Sequence, residues 1–118
     1  MTAHLRRRDD GAWELRVNGF FVMDDRESSS ERLLAQTVLN LGARDILVGG
    51  LGLGFTLREL LAGGARSVCV AEIEPDVVRW MRDGTVPGAE LLEDPRTRVV
   101  VDDVRTVVSA ADPASFDA

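Results

Sequence analysis

"ILVGGLGLGFTLRELL", residues 46–61, opens with an apolar run, passes four glycines in six positions, and continues with helical spacing. Strand, glycine turn and helix in that order bring bare backbone N–H groups at a helix N-terminus close to a ligand, where side chains would stand in the way. The spacing Gly50-x-Gly52-x-Gly54 differs from the dinucleotide fingerprint, because Phe55 stands where the third glycine of G-x-G-x-x-G belongs. No G-K-[ST] follows, which argues against a P-loop. Taken alone, the pattern fits either a ligand-approaching turn or a tight turn with no ligand.

Outward from this stretch, strand-like and helix-like segments alternate. Strands are expected at 46–48, 68–71 and 99–101, and helices at 55–61, 75–81 and 104–110, with one further helical turn at 89–92. Such alternation builds β-α-β units and a parallel sheet. In an open sheet of this kind ligands sit beyond the carboxyl ends of the strands. "SVCVAEIEPD" runs apolar and then presents Glu72 and Glu74, with Pro75 suited to a first helical turn. Glu72, 18 residues after Gly54, suits an acid that accepts from both ribose hydroxyls. Its other reading is a solvated strand-end acid, and helix capping is the favoured role for Glu74. "RVVVDDV" ends the third strand with Asp102 and Asp103. Glycine turn, glutamate and aspartate at one sheet edge describe an adenosine pocket, with ribose on Glu72 and the adenine amine near Asp103.

The N-terminal part reads differently. Asn18-Gly19 between residues 13–17 and 20–23 is a type I′ turn signal, so a β-hairpin is expected. In "DDRESSSERLLAQTVLNLGARD", Ser28 and Glu31 have capping-box spacing, Leu33, Leu34, Val38 and Leu41 form an apolar face, and Gly42 closes the helix. The expected organisation is a hairpin region at 1–27 and an adenosine-binding α/β region at 28–118.

Composition limits the function. With 118 residues and 45% apolar content, the chain suffices for one small core. No apolar run has the length of a membrane span, and "MTAHLRRRDDG" lacks the hydrophobic stretch of a signal peptide, so a cytoplasmic protein without membrane attachment is expected. Cys69 is the single cysteine and His4 the single histidine, which leaves no metal-ligand spacing and makes a core thiol the reading for Cys69. A net charge of -6 argues against a general nucleic-acid binder and suits cationic small molecules. Arg6 to Arg8 are balanced by Asp9 and Asp10 and read as a solvated tail. Trp13, Phe20 and Phe21 suit either the core or a subunit interface, and Trp80 suits the core.

The hairpin followed by "MDDRESSSERLLA", "GLGLGFTLREL", "VAEIEPDVV" and "DPRTRVVVDDV" resembles the spermidine synthases, aminopropyltransferases on the S-adenosylmethionine-dependent methyltransferase fold. The resemblance implies a Rossmann-like, methyltransferase-type parallel sheet behind an N-terminal hairpin. It implies that Gly50, Gly52 and Gly54 line the nucleoside thioether, that Glu72 holds the ribose, and that Asp103 with Asp102 addresses the adenine. The donor is then S-adenosylmethionine or its decarboxylated form, with no metal, and the partner is a small-molecule amine or other nucleophilic acceptor. A homodimer is compatible with it.

The departures fall on the acceptor half. Leu53 stands where the family carries an acid in the glycine loop, Ser29 and Ser30 stand where it carries an aromatic residue and a histidine, and Val22 stands in place of a glutamine; Asp25 and Glu31 are kept. "ASFDA" resembles the opening of a fourth strand whose far end, in the family, bears the catalytic acid, so that acid is expected beyond Ala118 and the 118-residue chain is expected to be inactive alone. An interrupted sheet leaves the outer edge of the glycine-turn strand unpaired. Methyl transfer, or a noncatalytic module that keeps the fold, is the alternative to aminopropyl transfer.

Overall fold

The computed structural model describes residues 3–17, 20–26 and 28–118, with the side chains of residues 20–22 left aside. The Asn18-Gly19 turn and the side chains of Phe20, Phe21 and Val22 fall outside what is described. Two three-stranded sheets are present among the described residues, one antiparallel in the order β1-β2-β3 and one parallel in the order β4-β5-β6.

The antiparallel sheet holds β1 (Ala3–Arg7), β2 (Trp13–Val17) and β3 (Phe20–Asp24). β2 and β3 form the expected hairpin, with a register shift between Leu15 and Arg16. β1 corrects the reading of the N-terminus as a tail: Ala3 pairs with Val17 and Arg7 with Trp13, and the Arg7 guanidinium lies 4.8 Å from the centre of the Trp13 ring. Arg8 reaches Asp24 at 2.9 Å, so the arginine run serves the sheet as well as Asp10.

Helix α1 (Ser29–Asn40) starts after Ser28 as expected, although the Ser28 side chain makes no cap hydrogen bond. Its end follows the Schellman pattern: Gly42 N–H donates to the Leu39 carbonyl and Ala43 N–H to that of Val38, with Gly42 at φ 92°. The packed face differs from the expected one. Leu33, Leu34 and Leu41 are exposed, and Ala35, Val38 and Leu39 face inward. Close approach of α1 to α2 (Phe55–Ala62) explains the shift, because Leu39 Cδ1 occupies the space where a β-carbon on Gly63 would be.

In the parallel sheet, β4 (Asp45–Gly49), β5 (Ser67–Ala71) and β6 (Thr97–Val100) are in a register that pairs Gly49 with Ala71 and Ala71 with Val100. All three strands therefore finish on one rung. Helices α3 (Pro75–Arg82), α4 (Ala89–Glu93) and α5 (Val104–Ala110) complete the expected alternation. The core joins both sheets, since Ala3 and Leu15 belong to one buried cluster with Ile46, Leu57, Val70 and Met81. Cys69 and Trp80 both take core positions, Cys69 buried and Trp80 partly so.

Two further features shape the sheet. Asp94 forks onto Arg96, whose guanidinium also donates to the Leu61 and Ala65 carbonyls at 3.0 and 3.3 Å; the D-P-R stretch thereby fastens the end of α2 to the start of β6. Along the outer edge of β4, Asp117 N–H donates to the Asp45 carbonyl at 2.6 Å and Leu47 N–H to the Ala118 carbonyl at 2.8 Å. That edge is therefore partly paired, in contrast to the expected open one.

Candidate functional site

The common rung places Gly50 and Glu72 one residue beyond their strands, with Asp102 and Asp103 just after β6. Gly50 has φ 108° and its N–H donates to the Ala71 carbonyl at 2.8 Å. A β-carbon there would meet nothing within 4 Å, so the backbone conformation is what requires glycine and the space above the turn is open. At Gly54, φ 86°, a β-carbon would instead lie 2.7 Å from Met81 Cε, so this glycine answers to core packing. Gly52 lies against Met23 of the antiparallel sheet, whose sulfur would be 2.5 Å from an added β-carbon.

Glu72 is the most enclosed acid of the edge, 8% exposed. One carboxylate oxygen accepts the Leu51 N–H at 2.9 Å and the other the Glu74 N–H at 3.0 Å. Each oxygen keeps a lone pair for a further donor. Glu74 caps α3 by accepting the Asp76 N–H, with Pro75 in the first turn, as expected for it.

Asp102 and Asp103 differ in their engagements. Asp103 caps α5 by accepting the Arg105 N–H at 2.8 Å and takes the Arg105 guanidinium on both oxygens; that pairing, with the backbone N–H, holds its carboxyl down to about 2. Asp102 is exposed and, among the described residues, accepts only the Asp103 N–H, at 2.7 Å, on one oxygen. Val104, at the start of α5, lies 3.3 Å from the β-carbon position of Gly49, which draws both aspartates towards the glycine turn.

Two hollows meet at Glu72. A groove of about 210 Å³ runs from Gly49 and Gly50 past Glu72 and Ile73 to Asp102 and Asp103. A cleft of about 520 Å³ extends on its other side and is lined by Gly50, Leu51, Gly52, Thr56, Glu72 and Glu74. It continues between the antiparallel sheet and α1, against Leu15, Val17, Met23, Leu34 and Val38, with Glu31 in its wall. Gly54 and Leu53 are absent from the lining of both, and Leu53 packs, partly buried, against the core. The sequence reading missed the wall supplied by the antiparallel sheet, for which the alternation of Leu15, Val17 and Met23 is the available signal.

Among the described residues the charged side chains lining the cleft are Glu31, Glu72 and Glu74, with no arginine beside them. Among the described residues no cluster of three or more His, Cys, Asp or Glu is placed to hold a metal ion, and no helix is long and apolar enough to cross a membrane. The site is an apolar cleft with anionic groups, entered at a glycine turn on the carboxyl edge of a parallel sheet.

This arrangement defines a Rossmann-like, methyltransferase-type α/β fold. The chain is spermidine synthase-like in fold: it matches the spermidine synthase from Thermotoga maritima with a TM-score of 0.76 over 90% of its residues at 21% identity. It also matches a spermidine synthase in complex with the transition-state analogue AdoDATO, with a TM-score of 0.70 over 84% at 21% identity. A putative RNA methyltransferase from Pyrococcus horikoshii matches at a TM-score of 0.52 over 66% of this chain and 39% of its own, at 20% identity. The chain spans 39% and 35% of the two spermidine synthase chains, respectively. No protein-family model and no curated protein matches the sequence.

Proposed function

We propose that this chain holds the donor in a transferase that uses an adenosyl sulfonium, passing an aminopropyl group to an amine. The observation that carries the reading is Glu72, an enclosed carboxylate with free lone pairs where the glycine turn, the cleft and the groove meet. In this reading the ribose hydroxyls donate to Glu72, and the adenine lies along the groove with its amine on Asp102, beside Asp103. The backbone of Gly50 and Gly52 borders the thioether, Gly54 sets the turn behind them, and the sulfonium substituent enters the cleft. Three carboxylates without a cationic neighbour in the lining favour a positively charged donor and acceptor.

During transfer the amine lone pair forms the new C–N bond as the C–S bond breaks. The bonding electrons return to sulfur, leaving a neutral thioether, and the positive charge passes to the nitrogen as a substituted ammonium, which releases a proton to solvent. The protein's part in such a displacement is to hold the reacting atoms in line and exclude water. The spermidine synthase likeness favours the decarboxylated donor; methyl transfer from S-adenosylmethionine is the second reading, favoured by the methyltransferase match. Titration calorimetry with 5′-methylthioadenosine tests the common element. Binding that weakens roughly tenfold or more in Glu72→Ala supports it, since a charged hydrogen bond contributes about 1.5–3 kcal/mol. Equal affinity in the folded variant overturns it.

A further inference from the structure

Helix α1 is apolar on two sides. Ala35, Val38 and Leu39 face inward, whereas Leu33, Leu34 and Leu41 are 65%, 59% and 83% exposed. At about 100° per residue, Ser30, Leu33, Leu34, Thr37 and Leu41 fall on one stripe turned away from the packed side. The helix has two charged residues, Glu31 and Arg32, both in its first turn, and neither lies on the stripe. The Thr37 hydroxyl donates to the Leu33 carbonyl at 2.8 Å, so its polar need is met within the helix and its methyl is left for packing. A surface helix turns one apolar face to the core and a polar one to water. Helix α1 carries instead a second contact face, uncovered among the described residues.

We propose that this face binds a second copy of the chain, the two α1 helices crossing antiparallel at Thr37. Three features select a like copy. Leu33, Thr37 and Leu41 are evenly spaced by four, so a two-fold axis at Thr37 sets Leu33 of each copy against Leu41 of the other, the self-complementarity that an isologous contact requires. A row with this spacing is also the ridge that interdigitates between packed helices. The stripe is uncharged, so two chains of net charge -6 meet there without opposing like charges. Antiparallel crossing also sets the positive end of each helix dipole towards the negative end of the other. Two 12-residue helices bury well under the ~800 Å² per partner of a standard stable interface, so the dissociation constant should be on the order of tens of micromolar. Leu34 belongs both to the stripe and to the cleft lining, so the second copy covers that rim of the cleft.

Sedimentation equilibrium of the chain between about 5 and 500 µM tests the proposal. Monomer at the low end should give way to dimer at the high end. Leu41→Lys and Leu33→Glu, at positions whose exposure tolerates a charge, should each weaken dimerisation at least roughly tenfold, with circular dichroism and urea midpoints matching the parent's. Mixed in equal amounts the two variants should associate again, because the introduced charges then face each other with opposite sign while the second contact stays leucine on leucine. A parent that remains monomeric at about 500 µM, a dimer indifferent to both substitutions, or a mixture no better than either variant overturns the proposal. A species larger than two does so as well, since a two-fold contact closes on itself. If one variant fails to fold, the other decides alone.

Discussion

The Glu72 carboxylate accepts the backbone N–H of Leu51 at 2.9 Å, so the acid ending β5 and the glycine turn ending β4 form one hydrogen-bonded unit. Its second oxygen extends the unit to Glu74 and the start of α3. Substitution at Glu72 is therefore expected to act on stability as well as on binding. Glu72→Ala leaves two backbone donors without their acceptor, at a cost of about 1–3 kcal/mol for each one that water cannot reach. Glu72→Gln retains one acceptor oxygen and should fall between. Urea unfolding of the three proteins gives the order; an unfolding midpoint for Glu72→Ala equal to the parent's would show that the turn does not depend on this carboxylate.

Gly50 and Gly54 should separate by readout. Both have positive φ, but a β-carbon at 54 meets Met81 while one at 50 meets open space above the turn. Gly54→Ala is expected to lose more stability, about 2–4 kcal/mol from strain and overpacking together. Gly50→Ala should lose about 1–2 kcal/mol from backbone strain alone and show the larger proportional loss of methylthioadenosine affinity. Thermal melts beside calorimetry measure both quantities, and a reversed order in either would exclude this division of roles.

Acid should destabilise the fold through three aspartate–arginine pairs. Arg66, Arg96 and Arg105 hold the carboxyls of Asp45, Asp94 and Asp103 down to about 2, against an ordinary value of 3.8. A carboxylate depressed in the folded state contributes stability that is present above its unfolded value and is lost as pH falls through its folded one. Stability should thus decline from about pH 3.8 towards pH 2, and Asp94→Asn should make that decline shallower. Urea midpoints across this range check it; an unchanged slope in Asp94→Asn would mean that the pair forms equally in the unfolded chain.

Much of the edge was legible because glycine and proline leave local marks. Gly42 closes α1, Pro75 opens α3, and the alternation after Ile46 gave the parallel sheet with boundaries shifted by one or two residues. β1 was not legible, since its strand character comes from backbone pairing with β2 and from Arg7 lying over Trp13, while its sequence reads as charge. Nor was the inward face of α1. Three leucines suggested one stripe, yet helix packing at Gly63 selects Leu39, and small Ala35 is buried with it. Glu31 had capping-box spacing, but its carboxylate lines the cleft instead.

The position of Leu53 gives the last prediction. The resemblance to the spermidine synthases implies an acid at this position, and Leu53 would bear on donor choice if it faced the donor's tail. Its side chain instead packs against the core and lines neither hollow. Leu53→Asp should therefore place a carboxylate at a half-buried, core-packing position, lowering stability by about 1–3 kcal/mol. The ratio of affinities for S-adenosylmethionine and its decarboxylated form should remain within about twofold of the parent's, because residue 53 lines neither the cleft nor the groove. Competition binding of the two donors, with a urea midpoint measured on the same preparation, separates the alternatives. A shift of roughly tenfold towards the decarboxylated donor at unchanged stability would place residue 53 at the ligand and return donor selection to the glycine loop.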